Sequence, residues 1–304
     1  MNSFNNILDE IGSTPLVDLE LGTNAPILGK LEYLNPGGSL KDRSALYMIQ
    51  EAERNGLLKP GGTIIEASSG NQGIALAMIG AVKGYKVIIT VPDKTSSEKV
   101  ATLRAYGAET IVCESTDSLD DPKGYHATAE RLHRELGGFM PNQYFNESNP
   151  HAHYHTTGPE IWEQTQGKIT HFFAGTGSCG TITGVGRFLK EKNRSIQIIG
   201  IDSNHSLYSS KVPLPYDVEG IGIDVISDTL DLSVIDQIVP INDSDAFETT
   251  RKLAKRGILV GISSGAVIHV ARKIVQNLPS DNLAVAIIGD SGRAYLSKVF
   301  GAET

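Results

Sequence analysis

The feature that most constrains this chain is a regular alternation between short runs rich in isoleucine and valine and segments with helical periodicity. The pattern starts near residue 63 and resumes, after a polar stretch at residues 141–157 that is predicted to be irregular, up to residue 290. Apolar runs without polar alternation are typical of strands buried on both faces, as in parallel sheets covered by helices. Helices between such strands provide the right-handed crossovers that these sheets need. We therefore expect two doubly wound α/β domains with mainly parallel sheets, meeting near residue 145.

Length, charge and cysteine content narrow the class of protein. A chain of 304 residues is expected to form two domains, at about 150 residues for each. Its net charge of −8 disfavours binding to the phosphates of nucleic acids. The first ten residues show no secretory signal, and no apolar run is long enough to span a membrane. With only two cysteines, Cys113 and Cys179, we expect a soluble cytoplasmic protein that binds neither nucleic acid nor membrane.

Several predicted strands run into turns of glycine and hydroxyl residues that open helices. These turns lie at residues 68–71, 175–181, 261–265 and 290–292. In open α/β sheets, ligands bind beyond the carboxyl ends of the strands, and the first N–H groups of a helix favour anions. One such turn is explained by helix capping alone. Four of them in one chain favour an anionic ligand that is held at several points.

Two of these turns match motifs of other enzyme classes. The glycines of residues 175–180 follow the spacing of a dinucleotide-binding loop, and Asp202 ends the next predicted strand. A nucleotide-dependent dehydrogenase is therefore an outside alternative, although it would leave the other turns unused. Residues 261–265 match the nucleophile elbow of α/β-hydrolases. The order of residues argues against a hydrolase, because the catalytic histidine should follow well downstream and the last histidine, His269, comes directly after the motif.

Lys41 is the candidate reactive group. Residues 35–43 form a polar, glycine-rich turn that leads into a predicted helix, so Lys41 stands at the positive end of the helix dipole. Most lysines are solvated surface residues. Here the dipole and the nearby Arg43 would favour the neutral amine that a Schiff base requires. A Schiff-base lysine and an anion-binding loop at residues 177–181 together suggest pyridoxal 5'-phosphate (PLP) as the cofactor.

A family resemblance is carried by residues 35–43, 69–71, 177–181 and 261–265. These segments resemble the fold-type II PLP enzymes, which have the tryptophan synthase β-like fold. Within them the chain is similar to the catalytic core of the cysteine synthase and cystathionine β-synthase group, over nearly its whole length. The resemblance implies a homodimer. Residues 1–40 and 146–304 would form a larger cofactor-binding domain, and residues 41–145 a smaller, mobile domain with the substrate-carboxylate loop.

The resemblance also implies a role for each residue that matches the family's motifs. Lys41 would form the Schiff base, Asn71 would contact the 3'-oxygen of the pyridine ring, and Ser291 would face the ring nitrogen. The phosphate would be bound by Gly177, Ser178, Cys179, Gly180 and Thr181. The substrate carboxylate would be bound by Ser68, Ser69, Gln72 and Gln143, and Gly70 and Gly220 are also assigned to the substrate site. Tyr144 and Glu219 either line the substrate site or are a core aromatic and a loop charge.

The sequence departs from the family's usual pattern at three positions. Gln72 stands where threonine is usual, which leaves the identity of the substrate open. Cys179 replaces a glycine of the phosphate loop and would crowd the phosphate or expose a thiol near it. Gly289 stands where proline is usual. None of these changes removes the chemistry.

The chemistry implied by the resemblance is β-replacement. Lys41, freed from the cofactor, would remove the α-proton of a serine-type substrate, the leaving group would depart from Cβ, and a thiol would add there. A neutral Ser291 hydroxyl at the ring nitrogen makes the ring a weaker electron sink than an aspartate would, which favours elimination over transamination.

No metal is expected, since His151, His153 and His155 alternate and do not share a helical face.

Two activities within the group fit the sequence. Residues 96–100 and 218–224 are more similar to cystathionine β-synthases, which join serine and homocysteine. Residues 158–162 and 261–265 are more similar to O-acetylserine sulfhydrylases, the cysteine synthases that use sulfide. We favour the cystathionine β-synthase type and keep cysteine synthase as the alternative.

Overall fold

The described strands form two sheets, and the larger has six strands. A computed structural model describes residues 5–68, 70–116, 121–223 and 226–301. In spatial order, the strands of the larger sheet are β1 (Leu16–Asp18), β2 (Ile27–Leu31), β9 (Ala284–Ile288), β6 (His171–Gly175), β7 (Gln197–Ser203) and β8 (Gln237–Ile241). All neighbours are parallel except β1, which runs antiparallel to β2.

The smaller sheet is formed by the middle of the first half of the chain. Its three parallel strands are β3 (Thr63–Ala67), β4 (Lys86–Pro92) and β5 (Glu109–Cys113). Most residues of β3 and β4 are buried, as expected for parallel strands that helices cover on both faces. The predicted α/β class with mainly parallel sheets is therefore confirmed.

Helices connect and cover the strands. They are α1 (Lys41–Arg54), α2 (Asn71–Lys83), α3 (Ser97–Ala105), α4 (Tyr125–Leu136), α5 (Ser148–His155), α6 (Thr157–Gln164), α7 (Gly180–Lys192), α8 (Asp243–Ala254) and α9 (Ile262–Val275). Short 3-10 helices lie at Ile7–Glu10, Glu32–Leu34 and Gly292–Tyr295, and a π-helical turn at Leu296–Phe300. Gly84 ends α2 in the left-handed conformation with φ of 76°, a common helix C-terminus.

Helix α5 corrects the prediction that residues 141–157 are irregular. Its buried residues include Asn149, Ala152 and His153, so its inner face is polar and gives no apolar periodicity in the sequence. It packs closely against α7, where a Cβ on Gly184 would lie 2.1 Å from the carbonyl oxygen of Pro150. Tertiary packing, rather than local pattern, therefore stabilises this helix.

The two sheets draw on different parts of the chain. The larger sheet uses residues 16–31 and 171–288, and the smaller sheet uses residues 63–113. The predicted division into residues 1–40 with 146–304 and residues 41–145 follows the same separation and stays a prediction. Within the described ranges, no helix is long and apolar enough to cross a membrane.

Candidate active site

A cavity lies beyond the carboxyl ends of β6 and β9, where helices from both sheets meet. Among the residues predicted to form the site, those that line it are Lys41, Asn71, Gly177, Ser178, Cys179, Thr181 and Gly220. The rest of its lining is formed by Leu40, Ala174, Gly175, Ser263, Val267, Ile287, Gly289 and Asp290. The location agrees with the rule that ligands bind at this edge of parallel sheets.

Lys41 is the first residue of α1, and the turn before it is fixed to the end of β9. The N–H of Leu40 donates to the carbonyl oxygen of Gly289 at 2.9 Å. The N–H of Lys41 donates to Ser39 Oγ at 3.2 Å. Its side chain reaches across the cavity, and Nζ donates to Ser178 Oγ at 3.1 Å. The amine and the glycine-rich loop are thus in direct contact.

Burial lowers the pKa of the Lys41 ammonium from 10.5 to about 8. The sequence predicted a lowered pKa with the helix dipole and Arg43 as its causes. Burial is the cause found here, Arg43 is not among the charges that act on Lys41, and the effect of the dipole stays a prediction. The charge of Arg43 is balanced by Glu32 and Glu160, to each of which it lies 2.7 Å distant. Loss of hydration disfavours the charged amine, so the neutral fraction near neutral pH is larger than for an ordinary lysine.

The loop at residues 175–181 leads directly into α7. Its glycines permit close approach of other segments: a Cβ on Gly180 would lie 2.1 Å from Asn149 Oδ1, and a Cβ on Gly177 would lie 2.9 Å from the carbonyl oxygen of Gly220. Cys179 adopts the left-handed conformation with φ of 58°, which explains why glycine suits this position. The first N–H groups of α7 have no partners within the helix and can receive an anion.

Two polar side chains of α5 hold the hydroxyls of this loop. Asn149 Nδ2 donates to Ser178 Oγ at 3.1 Å. His153 Nε2 lies 3.2 Å from Thr181 Oγ1, and its Nδ1 lies 2.9 Å from Thr157 Oγ1. Burial and the nearby cations Arg43 and Lys41 hold the pKa of His153 well below its usual value, so the ring is neutral. The sequence did not identify Asn149, because its function depends on the unpredicted helix α5.

Asn71 begins α2 and is held from the opposite side of the cavity. Its Nδ2 donates to Asp290 Oδ2 at 2.8 Å, and the hydroxyl of Tyr295 donates to the same oxygen at 2.5 Å. Burial raises the pKa of Asp290. Asp290 Oδ1 is buried, and no described residue forms a hydrogen bond with it. Sequence reasoning did not assign Asp290 to the site.

Ser291, the next residue, lies at the start of the 3-10 helix Gly292–Tyr295. Its Oγ accepts a hydrogen bond from the N–H of Arg293 at 3.3 Å, and it is not among the cavity-lining residues described above. The predicted contact between Ser291 and the ring nitrogen stays a prediction. Asp290 is the side chain from this turn that lines the cavity.

The predicted substrate loop forms the turn between β3 and α2. Ser68 Oγ accepts hydrogen bonds from the N–H groups of Gly70 at 3.3 Å and Gly73 at 3.0 Å, and so caps α2. Gln72 is buried, accepts a bond from Ser44 Oγ at 3.4 Å, and leaves its Nε2 without a described partner. Ser69 lies outside the described residues. Ser68, Gly70 and Gln72 thus surround Asn71 without lining the cavity themselves.

Gln143 is positioned by a buried carboxylate that the sequence did not reveal. Glu66 on β3 accepts hydrogen bonds from the N–H groups of Asn142 at 2.8 Å and Gln143 at 3.3 Å. Burial raises the pKa of Glu66 to about 7. Gln143 Oε1 is buried without a described partner, and Gln143 is not among the residues that line the cavity. The adjacent Tyr144 is half-buried, and its ring lies 6.4 Å from that of His126.

Glu219 and Gly220 follow β7 on the far side of the cavity. Gly220 lines the cavity and has a φ of 90°, which favours glycine. Glu219 forms ion pairs with Lys99 and with Lys298, the latter at 3.1 Å. Glu219 therefore belongs to the border of the site rather than to the lining described above.

Comparison with known proteins agrees with this geometry. Residues 7–290 match the model of a family described as pyridoxal-phosphate dependent enzymes. The chain belongs to this family. The predicted membership of the PLP enzymes and the predicted cofactor are thereby confirmed.

Relatives of this PLP-dependent enzyme have two different names. A cystathionine β-synthase of Apis mellifera is 44% identical over 304 residues, which cover 96% of this chain and 60% of that protein. A cysteine synthase of Staphylococcus aureus is 42% identical over 96% of this chain and 95% of its own. The crystal structure of a hydrogen sulfide-producing enzyme from Fusobacterium nucleatum is 40% identical, with a TM-score of 0.91 over 97% of this chain and 99% of that one. The chain thus spans about three-fifths of the length of the first of these relatives.

The cavity of this PLP-dependent enzyme fits its cofactor. Lys41 supplies an amine of lowered pKa, and the loop that opens α7 supplies the N–H and hydroxyl donors that a phosphate needs. Asn71 has a second amide hydrogen besides the one given to Asp290. Asp290, which also lines the cavity, has an Oδ1 atom without a described partner, which a bound molecule can satisfy.

Proposed function

We propose that this chain catalyses PLP-dependent β-replacement on L-serine or O-acetyl-L-serine, with homocysteine or sulfide as the nucleophile. The observation that carries the proposal is the 3.1 Å contact between Lys41 Nζ and Ser178 Oγ. It brings an amine of lowered pKa to the loop that is suited to a phosphate, within one cavity. This pairing is what a Schiff-base cofactor with a phosphate tail requires.

Lys41 is the group that moves the proton. PLP, when bound, withdraws electrons from the Cα of an amino acid attached to it. The neutral Lys41 amine takes the proton from Cα, the leaving group departs from Cβ with its bonding electrons, and the nucleophile adds to Cβ. Lys41 then returns the proton to Cα. A pKa of about 8 suits both directions of this transfer near neutral pH.

The remaining residues bind and orient. Asn71, held by Asp290, directs its free amide hydrogen to the ring oxygen. The loop at residues 177–181 receives the phosphate, and Ser291 is assigned to the ring nitrogen. Residues 68–72, with Gln143, receive the substrate carboxylate. Tyr144, Glu219 and Gly220 are assigned to the border of the substrate site.

Between the two activities we favour the cystathionine β-synthase type, a lyase, over cysteine synthase, a transferase. The segments that resemble cystathionine β-synthases, at residues 96–100 and 218–224, meet in space through the Lys99–Glu219 ion pair. The cysteine synthase of Staphylococcus aureus supports the alternative, since it matches this chain over almost its full length. Membership of the PLP family removes the support for a nucleotide-dependent dehydrogenase.

A spectrophotometric experiment tests the proposal. The protein purified with PLP should show a visible absorption band. O-acetyl-L-serine and L-serine are then added in separate samples, and the change in the band is recorded. The substrate that changes the band identifies the leaving group, and restoration of the band by homocysteine or by sulfide identifies the nucleophile. A protein that shows no visible band after incubation with PLP would contradict the proposal. Pyruvate formed together with the amine form of the cofactor would indicate transamination instead.

Assembly and location complete the proposal. We propose a cytoplasmic homodimer, with the mobile domain of residues 41–145 carrying the substrate loop. Both cysteines, Cys113 and Cys179, are free thiols, which supports a reducing compartment. Exposed apolar side chains at residues 207–214 offer surface for a second copy, among them Val212, which is 67% exposed. Light scattering of the purified protein would give the mass of the assembly directly.

A further inference from the structure

Lys99 is a buried cation that the proposed reaction does not use. It lies in the first turn of α3, where the helix dipole disfavours a positive charge. Only 3% of its side chain is exposed, and lysines are seldom buried so deeply unless they are paired. Burial and the helix dipole both disfavour a charge on Lys99, so its contacts must stabilise the charged side chain.

Those contacts join the two sheets at the edge of the cavity. Lys99 follows a strand of the smaller sheet, and it forms an ion pair with Glu219, which follows a strand of the larger sheet. Its Nζ also lies 4.5 Å from the centre of the Tyr295 ring and 3.5 Å from the Tyr295 hydroxyl. Cations are attracted to the face of an aromatic ring at this distance.

Lys99 also touches the predicted substrate loop. A Cβ on Gly70 would lie 3.1 Å from Lys99 Nζ and 3.4 Å from Cδ and Cε, so the lysine fills the space beside the loop backbone. The next residue, Asn71, is bonded to Asp290, which accepts a bond from Tyr295. Lys99 thus packs beside Gly70, and it is linked to Asn71 through the ring of Tyr295 and the carboxylate of Asp290.

Two lysines, Lys99 and Lys298, and two carboxylates, those of Glu219 and Asp290, lie beside the loop, and burial raises the pKa of Asp290. Lys99 and Lys298 share the single carboxylate of Glu219, so these three side chains carry a net charge of one positive. A partly buried charge of this kind is screened less than one at the surface. It lies beside the loop to which we assign the substrate carboxylate.

We propose that Lys99 is a positioning residue for the carboxylate of the amino acid substrate. Paired with Glu219, it holds Gly70 and Asn71 in the arrangement that receives the carboxylate, and it adds positive potential there. This inference rests on the proposed function, because it requires an amino acid bound at the cofactor. It assigns no proton transfer to Lys99.

The test compares two ligands on the holoenzyme. In Lys99→Met, which keeps the unbranched stem and removes the charge, we expect the Kd for L-alanine to rise about tenfold, because the loop must be ordered on binding. L-Alaninamide lacks the carboxylate, so its Kd should not change. Both are measured from the change in the visible band of the cofactor. KM for the reacting substrate should rise by a similar factor, while kcat changes less than about threefold.

Two further variants separate positioning from folding. Glu219→Gln keeps the side-chain volume and both lysine charges but removes the ion pair, so it isolates positioning from charge if Lys99→Met folds poorly. We expect the Kd for L-alanine to rise about threefold through loss of positioning, and a fall in the Kd would contradict positioning. Lys83→Met removes a lysine that pairs with Glu53 at 2.8 Å at the other end of α2. This control should bind both ligands like the wild type.

The outcomes distinguish failure of the inference from failure of the proposed function. If wild type and variants bind L-alanine equally well, or if both ligands weaken to the same extent, Lys99 does not position the carboxylate. If the wild-type protein forms no visible band with PLP, the proposed function itself fails, and the inference falls with it.

Discussion

Lys41 and Arg43 lie two residues apart at the start of α1, both largely buried, yet their surroundings differ in one respect. Arg43 contacts two carboxylates, those of Glu32 and Glu160, each at 2.7 Å. These contacts raise the pKa of Arg43 despite its burial, and hold the pKa of Glu160 at about 2. Lys41 Nζ instead donates to the neutral hydroxyl of Ser178, and burial lowers its pKa to about 8.

The difference separates a structural cation from a reactive one. A buried charge with carboxylate partners ties segments together, and Glu160 binds Lys30 at 2.7 Å as well as Arg43. A buried lysine without such partners is destabilised as the ammonium and becomes available as the amine. The first turn of α1 thus carries a structural cation, Arg43, and a reactive one, Lys41. Four experiments test this difference.

Removing the reactive cation should have the largest effect. In Lys41→Ala, we expect kcat to fall about 10⁴-fold, because both the covalent attachment and the proton transfer are lost. The visible band of covalently bound PLP should disappear in the same variant. Steady-state kinetics and an absorption spectrum check both points. Retention of the band would show that a different amine holds the cofactor.

Removing the structural cation should instead act on stability. Arg43→Met leaves buried carboxylates with fewer partners, and we expect the free energy of unfolding to fall by about 3–5 kcal/mol. Urea unfolding of the apoprotein measures it. The exposed pair of Arg131 with Glu135 provides a control, and Arg131→Met should change stability by less than about 0.5 kcal/mol. Lys41→Ala should be nearly neutral in this assay; a loss as large as that of Arg43→Met would refute the contrast.

The pH dependence of cofactor uptake should reveal the lowered pKa of Lys41. The neutral amine reacts with PLP, so uptake by the apoprotein should become about tenfold faster from pH 7 to 9 and level off above about 8. The rate rises with pH because the pKa of Lys41 is lowered: raising the pH removes from the amine a proton that burial already disfavours. Stopped-flow absorbance gives the rates. A rate that still climbs steeply at pH 10 would mean that Lys41 keeps its ordinary pKa of 10.5.

The smallest expected effect concerns the thiol in the same cavity. Burial raises the pKa of Cys179 to about 12, so the thiol is neutral near pH 8 and does not set the charge of Lys41. In Cys179→Ala, we therefore expect the midpoint of the uptake profile to move by less than about 0.5 pH unit. The same stopped-flow measurement applies. A larger movement would make the thiol, and not burial, the main influence on the amine.

Helices and strands are predicted well from the sequence where the apolar periodicity or the turn residues lie within the segment itself. The strands and helices from β3 to α4, and the glycine-rich loop that opens α7, follow from apolar periodicity and turn residues. Helix α5 does not, because its inner face consists of Asn149, Ala152 and His153. Polar residues that are buried by other elements give no periodic signal in the segment itself.

The candidate site shows the same division. Lys41 was identified from its place at a predicted helix start, with a resemblance to support it. The bond from Asn71 to Asp290 joins residues 219 positions apart, and the one from Lys99 to Glu219 spans 120 positions. The sequence around a residue does not indicate which distant residue its side chain will contact in the fold. For the same reason the sequence suggested Arg43 as the cause of the low pKa of Lys41, since the carboxylates that neutralise Arg43 lie elsewhere in the chain.

The position of β9 has a consequence for how the molecule is made. This strand is formed by Ala284–Ile288, yet it lies between β2 and β6 in the middle of the larger sheet. During synthesis the three strands of the smaller sheet emerge early and can pair with one another. The centre of the larger sheet cannot be filled until residues 284–288 have emerged from the ribosome. Gly289 and Asp290 follow β9 directly and line the cavity, so the cavity is completed only after the other described strands of both sheets have been synthesised.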